Sequence, residues 1–90
     1  MVMGFNTDIQ HKGVVYHVQT EPRKGAGIET VVYTRGAVIH KFTTSYQDRL
    51  NTSDFNEDKL RRLLEDQHRQ VIARIRAGEI AASAAALPQS

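Results

Sequence analysis

The sequence has no cysteine and no tryptophan, and only two prolines among its 90 residues. Without cysteine there is neither a disulfide staple nor a thiolate zinc site, so a chain this small must be held by packing or by a partner subunit. A reducing compartment is the simplest setting for it. Long apolar runs are missing as well: nothing approaches the roughly 20 residues of a spanning helix, and residues 1–8 lack the basic start and apolar run of a secretory signal. The expectation is a cytoplasmic chain with no membrane insertion. Charge of one sign is also scarce. The net charge of +2 comes from 12 basic and 10 acidic residues, too even a balance to imply nucleic acid by itself. Residues 1–52 hold six basic and four acidic side chains, and residues 53–90 hold six of each, so the small surplus belongs to the first part.

What is present is well punctuated. From Phe5 to Ile9 apolar residues or Thr alternate with polar ones, the period of a half-buried strand. His11-Lys12-Gly13 then reads as a tight hairpin connection, Gly supplying the positive φ. A second strand is expected over Val14–Glu21, with Val14, Tyr16, Val18 and Thr20 on the core face. Pro22 ends the ladder, and Pro22-Arg23-Lys24-Gly25-Ala26-Gly27 reads as an exposed loop. Ile28–Thr34 and Ala37–Thr44 repeat the hairpin around Arg35-Gly36, rich in β-branched and aromatic residues.

Ser45–Thr52 is a polar linker with room for one helical turn. Asp54 with Glu57 fits a capping box, and Ser53 or Asn56 can also cap. Leu60, Leu63, Leu64, Val71 and Ile75 then recur at helical spacing on one stripe. Gly78 after Ala77 is a fitting stop, although the Ala-rich stretch from Ile80 could prolong the helix. The expected fold is therefore α+β: a four-stranded antiparallel meander of two hairpins followed by one long C-terminal helix (ββββα). It forms a single domain over 1–80 with a frayed Ala-rich tail at 81–90.

Catalytic chemistry finds little to work with. Ser45, Ser53 and Ser83 lie in linker, cap and tail contexts without a nearby base, and paired carboxylates such as Glu57 with Asp58 fall in polar segments where burial would not raise a pKa. His11, His17, His40 and His68 show no helical i, i+4 His pair, and His17 and Glu21 share a strand face about 13 Å apart, too far for one ion. Gln67 and His68, at the apolar stripe, are expected to hydrogen-bond at the sheet edge. Arg23-Lys24-Gly25-Ala26-Gly27 lacks the end of a P-loop and opens no helix. No enzyme activity, metal or cofactor is expected.

Binding is better supported. Arg62, Arg69 and Arg76 recur every seven residues and form a row opposite the apolar stripe, although Glu65 and Asp66 are spaced to pair with Arg69 and Arg62. One helix covers one face of a sheet, yet with a simple register Val15, Val31, Tyr33, Val38 and Phe42 lie opposite Val14, Tyr16, Val18, Val32 and Ile39. The uncovered face or an edge strand is expected to meet another protein or a second copy of the chain. The candidate contact residues are Tyr16, Tyr33, Phe42, Arg23, Lys24, Arg35, Arg62, Arg69 and Arg76.

Gly4-Phe5-Asn6-Thr7-Asp8-Ile9, Val15-Tyr16-His17-Val18-Gln19-Thr20-Glu21 and Glu65-Asp66-Gln67-His68-Arg69 together resemble a family of small bacterial proteins without assigned enzymatic activity, the RomX-like motility polarity proteins. The resemblance implies a partner of the Ras-like GTPase MglA and of the response regulator RomR, which helps load the GTPase with GTP at a cell pole in gliding and type IV pilus motility. It transfers no contact residue. The order of four strands and a helix is also similar to dimeric single-stranded nucleic-acid binders of the PC4 type. In that alternative Tyr16, Tyr33 and Phe42 would stack bases while Arg23, Lys24, Arg35 and Lys41 track phosphates.

Overall fold

A computed structural model describes residues 2–82. Four strands, β1 (Phe5–His11), β2 (Val14–Arg23), β3 (Gly27–Thr34) and β4 (Ala37–Ser45), form one antiparallel sheet in the order β1-β2-β3-β4. A 3-10 turn, Gln47–Asn51, leads to the single helix α1 (Glu57–Arg76). The ββββα order is the one the sequence predicts. Residues 83–90, most of the expected tail, lie outside the described residues. The packed chain continues beyond residue 80, since the Ala82 amide donates to the Tyr16 hydroxyl at 3.2 Å.

Turn chemistry sets the meander. Lys12-Gly13 and Arg35-Gly36 are two-residue loops with φ of 50° and 79°, and of 54° and 78°, the paired positive dihedrals that match hairpin twist. The third connection is shorter than expected: β2 runs through Pro22 and Arg23, and only residues 24–26 turn. Pro22 is tolerated because β1 starts its pairing at Phe5↔Thr20, so at Pro22 the ladder has a partner on one side only and a missing donor can face the vacant side.

The strands present two different faces. Ile9, Tyr16, Val18, Ile28 and Val32 turn towards the helix and are buried, with Leu64, Val71, Ile75 and Ile80 completing the core. Each fully buried aliphatic of this kind contributes roughly 1.5–3 kcal/mol. A bulge corrects the simple register of β4. Val32 faces His40 while Tyr33 faces Val38, which leaves Ile39 as an extra residue. The side-chain phase beyond it shifts by one, so Phe42 pairs with Thr30 and packs on the helix side instead of the open face.

At the start of α1, Asn56 is the cap, its side chain accepting from the Lys59 amide at 3.0 Å; Asp54 instead binds Lys59 Nζ at 2.7 Å. At the end, Gly78 (φ 80°) donates to Ile75 O and Glu79 to Arg74 O, at 3.0 and 2.9 Å. This left-handed glycine stop ends the helix at Arg76 rather than extending it through the alanines. Helix α1 lies over β1, β2 and β3, chiefly β2. A helix about 10 Å across covers roughly two strands spaced about 4.8 Å apart, so the β4 margin on the same side is left shallow.

Candidate functional site

The open face is built row by row from the register. Asp8, His17, Tyr33 and Val38 stand side by side across the four strands, and Asn6, Gln19, Val31 and Lys41 form the next row. Val15 and Val38 are 44% and 53% exposed, two of the four exposed large hydrophobics among the described residues. Tyr33 is half-buried between them. Thr34 Oγ1 donates to Val15 O at 3.1 Å, tying the Arg35-Gly36 turn to the Val15 backbone. Towards the other end, Glu21 opposes Glu29 across the strands. Like charges in that position repel, and neighbours relieve them: Arg23 donates twice to Glu29 Oε1, at 3.0 and 2.5 Å, and Gln19 donates to Glu21 at 3.2 Å. The hydrogen bond from Arg23, ahead of its charge, holds the Glu29 carboxyl below the usual range.

The candidate contact residues do not form one surface. Tyr33 lies on the open face, and Arg35 at its rim. Tyr16 is 2% exposed beneath the helix and is unavailable to a partner; Phe42 is on the helix side, stacked on His40 with centroids 6.4 Å apart. The three rings of the base-stacking alternative are therefore divided between the two faces, Tyr16 and Phe42 on the helix side and Tyr33 on the open one. Arg23 is committed to Glu29, and Lys24 is exposed in the opposite turn. Arg62, Arg69 and Arg76 are exposed on the far side of α1. Arg69 pairs with Glu65 at 2.9 Å, whereas Arg62 and Arg76 make no ion pair among the described residues.

Gln67 and His68 depart furthest from expectation. They are buried at the centre of the helix–sheet contact, not at its edge. His68 Nε2 lies 2.8 Å from Thr7 Oγ1 and Nδ1 lies 2.7 Å from Thr20 Oγ1; Thr20 Oγ1 is 2.7 Å from Thr30 Oγ1. Gln67 Nε2 donates to Thr30 Oγ1 at 3.0 Å and approaches the Ile28 and Phe42 carbonyls, and Thr44 donates to Gln67 Oε1 at 2.5 Å. Donor counting gives the chain a direction. Thr30 accepts from Gln67 and can keep its own proton satisfied only by donating to Thr20; Thr20 then donates to Nδ1, and Nε2–H donates to Thr7. His68 is thereby a neutral imidazole, and burial lowers its pKa. At 5% exposure, with both ring nitrogens engaged, it offers no base to a solvent-borne substrate. The signal was available in the sequence, since both residues fall on the apolar stripe between Leu64 and Val71.

Two open grooves flank the helix. One of about 360 Å³, between α1 and β4, is floored by Ile28, Phe42 and Leu63 and rimmed by Tyr46, Arg49, Asp66 and Gln70. The other, of about 350 Å³, lies against Met3, Phe5, Glu57, Asp58 and Arg61. His40 Nε2 is buried without a hydrogen-bond partner among the described residues. Among the described residues no three His, Cys, Asp or Glu side chains gather to hold a metal, and no helix is long and apolar enough to cross a membrane. No family model, curated protein or solved structure matches the chain, so these surfaces are what bear on its function.

Proposed function

We propose that the protein is a non-enzymatic protein-binding module, a RomX-like adaptor that engages a Ras-like GTPase of the MglA type together with a RomR-type response regulator and favours the GTP-bound state. The observation carrying the binding reading is the bare sheet face: a single helix covers the other side, and Val15, Tyr33 and Val38 remain in contact with water on this one. Exposed aliphatics around a half-buried tyrosine are the composition of an interface core. The identity of the partner rests on the motif resemblance alone. Recruitment to a cell pole would follow from that partner. The nucleic-acid alternative has less support, because Tyr16 and Phe42 are turned away from Tyr33.

Exchange of a fluorescent GTP analogue on the GTPase, with and without this protein and the response regulator, tests the reading. Acceleration and co-elution are expected, both lost in Val38→Asp, which sits on the exposed surface and leaves the fold intact. No acceleration and no co-elution with the wild-type protein would remove the GTPase assignment.

A further inference from the structure

Backbone strain and charge coincide at one end of the open face. Among the described residues only Lys12, Ala26 and Arg35 take positive φ without being glycine. Lys12 and Arg35 occupy the first position of the two hairpin loops at the same end of the sheet, a position where Asn, Asp or Gly is favoured because a longer side chain crowds the backbone there. Both loops instead carry a long cation. Arg35 opens the β3–β4 loop directly after Thr34, whose hydroxyl donates to Val15 O at 3.1 Å, and two residues after Tyr33, the partner of Val38. Lys41 stands one row in, opposite Val31. None of these three cations makes an ion pair among the described residues. The acidic groups of the same face have nearer partners: Asp8 with His17 at 2.7 Å, Glu29 with Arg23, and Glu21 with Gln19; of the three cations, Lys41 also acts on Glu29 through its charge.

We propose that Val15, Tyr33 and Val38, framed by Lys12, Arg35 and Lys41, dock an acidic protein surface, one with apolar side chains at its centre and Asp or Glu around them. The strained turns hold their cations because those charges meet the partner's carboxylates. This rests on the protein-binding reading and adds the chemistry of the partner. Arginine offers carboxylate a two-pronged, charge-assisted contact, and the flat patch of two valines and one ring lacks the several aromatic platforms that a nucleic-acid strand needs. A strained conformation held where an easier residue exists is a pointer to function.

The test uses two synthetic peptides with the same central Leu-Trp-Leu segment, one flanked by glutamates and one by lysines, titrated into the isotope-labelled protein. The glutamate peptide is expected to shift the amides of Val15, Tyr33 and Val38, with affinity falling as salt rises. In the Lys12→Asn/Arg35→Asn double variant that affinity is expected to drop at least about ten-fold while the thermal midpoint rises by about 2–6 °C. A lower midpoint in that variant would make the cations structural and overturn the inference. So would equal binding of the lysine peptide, no binding of the glutamate peptide, shifts confined to the groove between α1 and β4, or Arg35-dependent binding to an oligonucleotide or to anionic phospholipid vesicles that exceeds binding to the glutamate peptide. The exchange assay separates the two levels. If the double variant still co-elutes with the GTPase, this inference falls and the adaptor reading stands; if the wild type fails there but binds the glutamate peptide as described, only the GTPase assignment falls.

Discussion

The two faces of the sheet distribute polarity in opposite ways. Beneath the helix, where apolar side chains would be expected throughout, a central row carries Thr20 and Thr30 at 0% exposure, with His68 and Gln67 packed onto them. On the bare face, where polar residues would be expected, two valines meet water. Burial here is not sorted by hydrophobicity alone. The covered face tolerates its hydroxyls because each finds a partner, which brings the cost of burying them down to that of an ordinary satisfied group. The bare face has no comparable reason in the isolated chain, and that contrast is what supports the binding proposal.

The contrast predicts very different responses to similar substitutions. Leu64→Ala removes a side chain at 0% exposure and is expected to cost about 2–5 kcal/mol, whereas Val38→Ala is expected to stay within about 0.5 kcal/mol; chemical denaturation of both variants checks this. A costly Val38→Ala would mean that the open face contributes to the fold rather than to a partner. Within the covered face, Thr30→Val takes one partner each from the Thr20 hydroxyl and from the Gln67 amide, which keeps only its longer contacts to the Ile28 and Phe42 carbonyls, at about 1–3 kcal/mol. Adding Gln67→Leu removes the weakened donor, and the Gln67–Thr30 bond is already lost in either single variant, so the double variant is expected to lose less than the sum of the singles. Strict additivity would break the network interpretation.

The smallest effect is on pH dependence. His68 is neutral in the fold, and burial holds its pKa below the ordinary histidine value of about 6.5. The groups facing it are Thr7, Thr20 and the Phe5 ring, 5.7 Å away, none of them charged. Since the unfolded chain takes up the proton more readily, His68's contribution is complete above about pH 6.5 and declines below it until the folded pKa is passed. Protonation also reverses the Thr20 hydroxyl and strands the proton of Thr30. Urea midpoints between pH 7.5 and 5 are therefore expected to fall in the wild type and to fall less in His68→Gln.

Much of the architecture was legible in the chain. Lys12-Gly13 and Arg35-Gly36 marked their hairpins, alternation marked β1 and the core face of β2, and Gly78 marked the end of α1. Face assignment failed where it depended on phase. The bulge at Ile39 has no signature in Val38-Ile39-His40-Lys41-Phe42, all of which suit a regular strand, yet it carries Phe42 across the sheet. Tyr16 was already assigned to the core face, and only its 2% exposure shows that the hydroxyl too is sealed, by Ala82. The Gln67–His68 network was missed for a different reason: alternation and helical period identify which positions turn inward, but not that threonines on all four strands will meet inward polar residues on a helix. Gly4, within the first family-like motif, was equally silent; a β-carbon there would overlap the Thr20 carbonyl oxygen, so the chain entering β1 needs glycine for close approach.

A helix stripe made only of leucine, valine and isoleucine can slide along a sheet by one turn, about 5.4 Å, and still find apolar neighbours. The threonine, histidine and glutamine chain forbids this, because in any shifted position its donors and acceptors no longer meet. It acts as a key that admits one docking position during folding. A variant with the whole chain replaced by aliphatic residues of similar volume would then keep its stability but give up uniqueness, with helix amides broadened by exchange between slipped arrangements.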